Sequence, residues 1–122
     1  MAGMTEEQAR HFAEVWMSAW NSHDLDAILN HYAPDVEFVS PFVQKLFGDS
    51  SGTVRGRERL KEYFRNGLQA YPLLRFELRR VLIGVGSITL YYLSVNGLLA
   101  AETMVFDRAG LVREVRVHYC KP

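Results

Sequence analysis

The first half of the chain carries apolar residues at helical spacing, and the second half alternates with period two. Phe12, Trp16, Ala19 and Trp20 fall on one face of a helix that spans Thr5 to Asn21. Thr5 and Gln8 at its start have the spacing of a capping box, in which each side chain satisfies a free backbone N–H of the other residue. Asn21-Ser22-His23 stops this helix, and Asp24 is a good N-cap for a second one. Leu25, Ile28, Leu29 and Tyr32 form the inner stripe of the second helix, and Pro34 ends it. Val36 to Ser40 reads as a short strand with Val36, Phe38 and Ser40 on one side. Residues 41–55 read as a long connection. Its Phe42, Val43, Leu46 and Phe47 should lie on something apolar, so a lid or pocket rim is expected. Gly56 opens a third helix with Leu60, Tyr63, Phe64 and Leu68 inward.

From Pro72 onward four strands are expected: Leu74–Arg79, Val81–Val95, Leu98–Phe106 and Leu111–Tyr119. Asn96-Gly97 between two apolar runs predicts a two-residue hairpin turn, which needs positive φ at both positions. Residues 107–110 predict a four-residue turn. Together these turns set Tyr91 opposite Glu102 and Glu102 opposite Val115. One face then holds Thr89, Tyr91, Leu93, Glu102, Met104, Phe106, Val115, Val117 and Tyr119 and should meet the helices. The other holds Tyr92, Ser94, Thr103, Glu114, Arg116 and His118. A one-residue slip in either turn exchanges the faces.

Glu102 is the anomaly on the inward face. A carboxyl among large apolar residues must find a partner or keep its proton, because an unpaired buried charge costs several kcal/mol. Its pKa should be raised, which suits a general acid or a neutral hydrogen-bond donor. Glu102 and Tyr91 are therefore the candidate catalytic pair. The alternative is a structural glutamate tied to Tyr91 or to Arg113. Trp16, Trp20, Tyr32, Phe38, Phe42 and Tyr63 form an aromatic set. With Ser40, Met104, Val115 and Tyr119 they are the expected walls of a substrate cavity; the alternative is plain core.

Composition narrows the function classes. The 122 residues suit one domain spanning 1–122. Lys+Arg and Asp+Glu are 14 each, so no long-range field argues for nucleic acid or an anionic membrane. Near-zero charge fits self-association. Cys120 is the only cysteine, so no intrachain disulfide can form. The most apolar stretch, Val81 to Val95, is broken by glycine and is too short for a membrane span of ~20 residues. A soluble cytoplasmic protein is expected. His11, His23, His31 and His118 are scattered, and no metal site is expected. Ser40 lacks a Gly-x-Ser-x-Gly elbow, and Gly84-Val85-Gly86 lacks the helix and third glycine of a dinucleotide site. No cofactor is implied.

The order helix, helix, strand, rim, helix, four strands resembles the cone-shaped nuclear transport factor 2-like superfamily in its SnoaL-like branch. Residues 20–29 (Trp-Asn-Ser-His-Asp-Leu-Asp-Ala-Ile-Leu) and 31–38 (His-Tyr-Ala-Pro-Asp-Val-Glu-Phe) carry it, with Gly52–Gly56 and Asp107–Val112. The resemblance implies an α+β fold, three N-terminal helices on a curved, mostly antiparallel sheet that encloses a pocket. It also implies a homodimer through the outer sheet face. The family includes ketosteroid isomerase, polyketide cyclases, limonene epoxide hydrolase, dehydratases and members that only bind or scaffold. Of the ketosteroid isomerase positions, the general base falls on Ser40, the oxyanion-hole tyrosine on Trp16 and the neutral oxyanion-hole acid on Glu102. Only the last keeps its chemistry, so steroid isomerisation by that mechanism is not expected. The resemblance leaves a cofactor-independent isomerase, lyase or cyclase on an apolar substrate. Non-catalytic binding of an apolar ligand and a dimeric scaffold are the alternatives.

Overall fold

A computed structural model describes residues 4–122. Helix α1 (Glu6–Asn21) starts from a Thr5/Gln8 capping box, with both reciprocal hydrogen bonds formed. Asp24 caps a short α2 (Leu25–Leu29) through the Ala27 amide. Strand β1 (Tyr32–Val39) follows, then α3 (Pro41–Phe47), β2 (Thr53–Arg55) and α4 (Arg57–Ala70). Strands β3 (Glu77–Ile83), β4 (Ser87–Leu93), β5 (Leu99–Phe106) and β6 (Val112–Cys120) complete the chain.

The six strands form one open sheet in the order β2-β1-β6-β5-β4-β3, antiparallel except for the β1–β6 pair. Its concave face carries Val36 and Phe38, Ile88 and Leu90, Met104 and Phe106, Val115 and Val117. Trp16, Met17 and Trp20 of α1 and Leu60, Tyr63 and Phe64 of α4 close the core from the other side. The result is the α+β cone expected from the sequence, a curved sheet with helices in its mouth rather than a closed barrel. Edge strand β3 buries little and carries Arg79 and Arg80, which discourage pairing with a stray strand.

Four expectations are corrected. The stretch 41–55 is not a bare connection. Ser40 caps α3 by accepting the Phe42 amide, Pro41 occupies the first helical turn, and β2 pairs with β1. Among the described residues there are therefore four α-helices rather than three. Tyr32 opens β1 instead of closing α2, because Val112 N–H donates to the His31 carbonyl and draws this segment into the sheet. The apolar run Val81–Val95 is not one strand. Gly84 N–H donates to Ser87 O and Gly86 takes φ of 63°, so the run folds into the β3–β4 hairpin.

The fourth correction is one of register. Asn96 and Gly97 do take positive φ, 57° and 68°. The turn nevertheless holds three residues, because Ser94 N–H donates to Leu98 O and Leu98 N–H donates to Val95 O. This extra residue sets Tyr91 opposite Ala101 and Leu90 opposite Glu102. Every β4 side chain exchanges faces relative to the two-residue turn. Ile88, Leu90 and Tyr92 point into the core, and Thr89, Tyr91 and Leu93 point outward. On the other side of β5 the expected four-residue turn also holds only three residues, 108–110, because Asp107 N–H donates to Leu111 O, and a bulge at Arg113 adds a second one-residue shift. Together they set Glu102 opposite Val117, two residues from the expected Val115. An even slip preserves the faces, so Glu102 stays inward.

Candidate functional site

Between the sheet and the helices lies a partly open cavity of about 60 Å³. Its position follows from local structure. Trp16 and Trp20 lie one turn apart on α1, so both indoles project from one face. Phe76, just before β3, stacks on Trp16 with ring centroids 5.8 Å apart and an interplanar angle of 19°. Asn21 at the end of α1 fixes that ring's backbone, donating to Phe76 O at 3.0 Å and accepting from Phe76 N–H at 2.6 Å. Phe42 of α3 meets Tyr119 of β6 edge-on at 4.8 Å.

Glu102 enters this aromatic enclosure from the middle of β5 and is 3% exposed. Its Oε1 accepts a hydrogen bond of 2.6 Å from the Tyr92 hydroxyl on the neighbouring strand. Its Oε2 has no hydrogen-bond partner among the described residues, and the side chain lines the cavity. Burial raises the Glu102 pKa from 4.5 to about 7, against the pull of the Tyr92 hydrogen bond, which favours the charged form. A carboxyl in this state holds its proton for a large part of the time at neutral pH. The Tyr92, Tyr63 and Tyr119 phenols are pushed upward, first by burial and then by the Glu102 charge. All three therefore remain neutral donors.

The expected site residues divide into three groups. Trp16, Trp20, Phe38, Phe42, Tyr63, Tyr119 and Glu102 line the cavity together. Tyr32, Ser40, Met104 and Val115 are buried but stand outside its wall. Tyr32 accepts a hydrogen bond from Trp16 Nε1 at 3.0 Å and so orients a wall residue from behind. Ser40 is engaged as the cap of α3 beside the Tyr63 and Tyr119 phenols. Tyr91 does not face Glu102. It lies on the outer face near Arg79, Arg80 and Leu99, and Tyr92 takes the place expected of it because the turn at Asn96 is one residue longer. Arg113 does not reach Glu102 either, since it sits at the bulge and pairs with Glu114 on the surface.

Sequence reasoning missed Leu74 and Phe76, although the alternation Leu74-Arg75-Phe76 marks both as candidates for one side. It missed Tyr92 through the register, and it placed Phe64 inward without counting it among the cavity walls. No local signal announces the Asn21–Phe76 pair, which joins residues 55 apart in sequence. Among the described residues no group of three or more His, Cys, Asp or Glu side chains could hold a metal ion. No helix among them is long and apolar enough to cross a membrane.

Comparison with known proteins gives a consistent family. The sequence profile of the SnoaL-like domain matches residues 13–116. A SnoaL-like protein of unknown function from Burkholderia thailandensis is 39% identical and superposes with a TM-score of 0.93, covering 97% of this chain and 98% of that one. An NTF-2 like protein of unknown function from Burkholderia xenovorans is 23% identical, with a TM-score of 0.76 over 98% of this chain and 88% of the other. A Kribbella flavida protein provisionally named a ketosteroid isomerase is 21% identical, with a TM-score of 0.71 over 95% and 80% of the two chains. No curated protein matches the chain. The profile match spans most of the sequence, and the chain belongs to the SnoaL-like family within the NTF2-like fold.

Proposed function

We propose that this chain binds a small, largely apolar molecule in the cone cavity and transfers a proton to it through Glu102, as a cofactor-independent isomerase, lyase or cyclase. The observation that carries the reading is the division of labour within one carboxyl. Tyr92 holds Oε1, while Oε2 is left without a protein partner in a cavity walled by aromatic rings. A neutral carboxylic acid in that position can donate to a carbonyl or leaving-group oxygen of a bound ligand, and general acid catalysis contributes about 10²–10⁴ in rate. Aromatic walls supply the apolar contact that holds the ligand.

A second reading is binding without turnover. Ser40 stands where the resemblance to ketosteroid isomerase would require a base, and its hydroxyl already caps α3. Glu102 is the one carboxylic side chain lining the cavity among the described residues. The two readings separate in deuterated water with a panel of small cyclic enones and ketones followed by NMR. The first expects Glu102 to donate to the carbonyl oxygen while solvent water takes the proton from the neighbouring carbon, so that the protein speeds deuterium incorporation there and Glu102→Gln slows it at least about 100-fold. Binding of the panel with no incorporation supports the second reading. Equal rates in wild type and Glu102→Gln remove Glu102 from the chemistry.

We also propose a homodimer through the outer sheet face. Tyr91, Leu93, Leu99 and Ala101 form a weakly polar patch there, and the chain's net charge of zero sets up no repulsion between copies. Sedimentation at micromolar concentration is expected to return twice the chain mass, and a monomer mass would refute the dimer.

A further inference from the structure

The cavity is small for its walls. At about 60 Å³ it falls well short of the ~300–1,000 Å³ that encloses a drug-sized ligand. It does not end where it narrows, however. Tyr71, Leu74, Ser94 and Val95 line the cavity on one side and a surface groove of about 360 Å³ on the other. These residues are a partition one side chain thick, built from the segment between α4 and β3 and the turn between β4 and β5.

The partition has a fixed backbone frame and an apolar filling. The Leu74 carbonyl is held at 2.9 Å by His23 Nε2, and Phe76 is held on both backbone groups by Asn21. No polar anchor holds the Leu74 or Val95 side chains, so they can change rotamer without breaking that frame. Beyond them, in the groove, Leu73 is 93% exposed beside Pro72. A leucine that exposed gains nothing from the fold and is available to cover an apolar ligand.

We infer that the ligand is elongated and amphiphilic: its neutral polar head sits in the cavity at Glu102, and its apolar arm passes between Leu74 and Val95 to lie on Leu73 and Pro72. This rests on the cavity being the ligand site, as proposed above. The passage between Leu74 and Val95 is then also the way in. Cavity and groove together offer an arm several methylenes long a continuous apolar path, which the cavity alone does not.

The test uses 4-alkylphenols, from 4-methylphenol to 4-octylphenol, with binding followed through the fluorescence of Trp16 and Trp20, the chain's two tryptophans. Affinity is expected to keep rising along the series, by roughly threefold to fourfold per methylene. Leu73→Ser lies on the surface and should fold normally. It is expected to weaken 4-octylphenol about threefold to tenfold and leave 4-methylphenol within twofold. Leu74→Ala should speed association of the long members. Affinity that levels off after the first few carbons, or a Leu73→Ser effect equal for short and long members, overturns the arm while leaving the cavity reading intact. Failure of every member to bind, 4-methylphenol included, overturns both.

Discussion

Replacing Trp16 with alanine is expected to cost about 3–5 kcal/mol of stability, the range for deleting a large buried aromatic. Trp16 is 1% exposed and touches three other rings: Trp20, the stacked Phe76, and Tyr92 edge-on at 5.6 Å. Its removal would empty the centre of the cavity wall and free the ring that Asn21 positions. It would also take the Nε1–H donor from the buried Tyr32 hydroxyl. Trp16→Phe keeps most of the packing but loses the donor and part of the ring volume, so about 1–3 kcal/mol is expected. Adding Tyr32→Phe should recover part of that loss, because the hydroxyl left without its donor is removed as well. Urea unfolding of wild type and these three variants measures this: the midpoint should fall with the slope unchanged. A cost below about 1 kcal/mol for Trp16→Ala would mean that the indole is not a packed wall.

Much of this architecture is legible in the sequence because its signals are local. The Thr5/Gln8 box, Asp24 as a cap and Gly56 before α4 each act within a few residues, and each appears where expected. The Ser40-Pro41 pair was an equally local signal for α3, and reading the stretch as a pocket rim overlooked it. The rim expectation still has content, since Phe42 and Leu46 of α3 do line the cavity.

The candidate site was legible only as far as parity allowed. Asn96-Gly97 announces a reversal with positive φ, but not whether two or three residues fill it. Hydrogen bonds across the turn decide that, and one residue moves Tyr91 out and Tyr92 in. At the β5–β6 hairpin the three-residue turn and the bulge at Arg113 each shift the pairing by one, and their sum of two leaves the faces alone. Glu102 therefore came out on the correct side although its partner across the ladder is Val117. The Asn21 and His23 ties to the segment before β3 depend on the finished fold and have no counterpart in local pattern.

The same parity decides the last expected result, the pH dependence that Glu102 imposes on folding. In the unfolded chain this carboxyl ionises near its ordinary 4.5, and in the folded protein near 7. Between those values the folded state holds the extra proton, so stability falls as pH rises through the interval and levels off above it. At about 1.4 kcal/mol per pH unit the loss attributable to this one group is about 3 kcal/mol by pH 8. Glu102→Gln cannot ionise, and its amide oxygen can still accept from Tyr92. Its stability should match wild type near pH 4.5 and exceed it by up to that amount at pH 8. His31, whose pKa is lowered by burial, titrates in both proteins and cancels from the difference. Tyr92→Phe removes the hydrogen bond that favours the charged carboxylate, so the loss should extend to higher pH. Tyr91→Phe, on the outer face, should leave the profile as it is in wild type. Denaturant midpoints from pH 4.5 to 8.5 distinguish these cases. A flat difference between wild type and Glu102→Gln would place the carboxyl in water, and an effect of Tyr91→Phe in place of Tyr92→Phe would restore the two-residue turn.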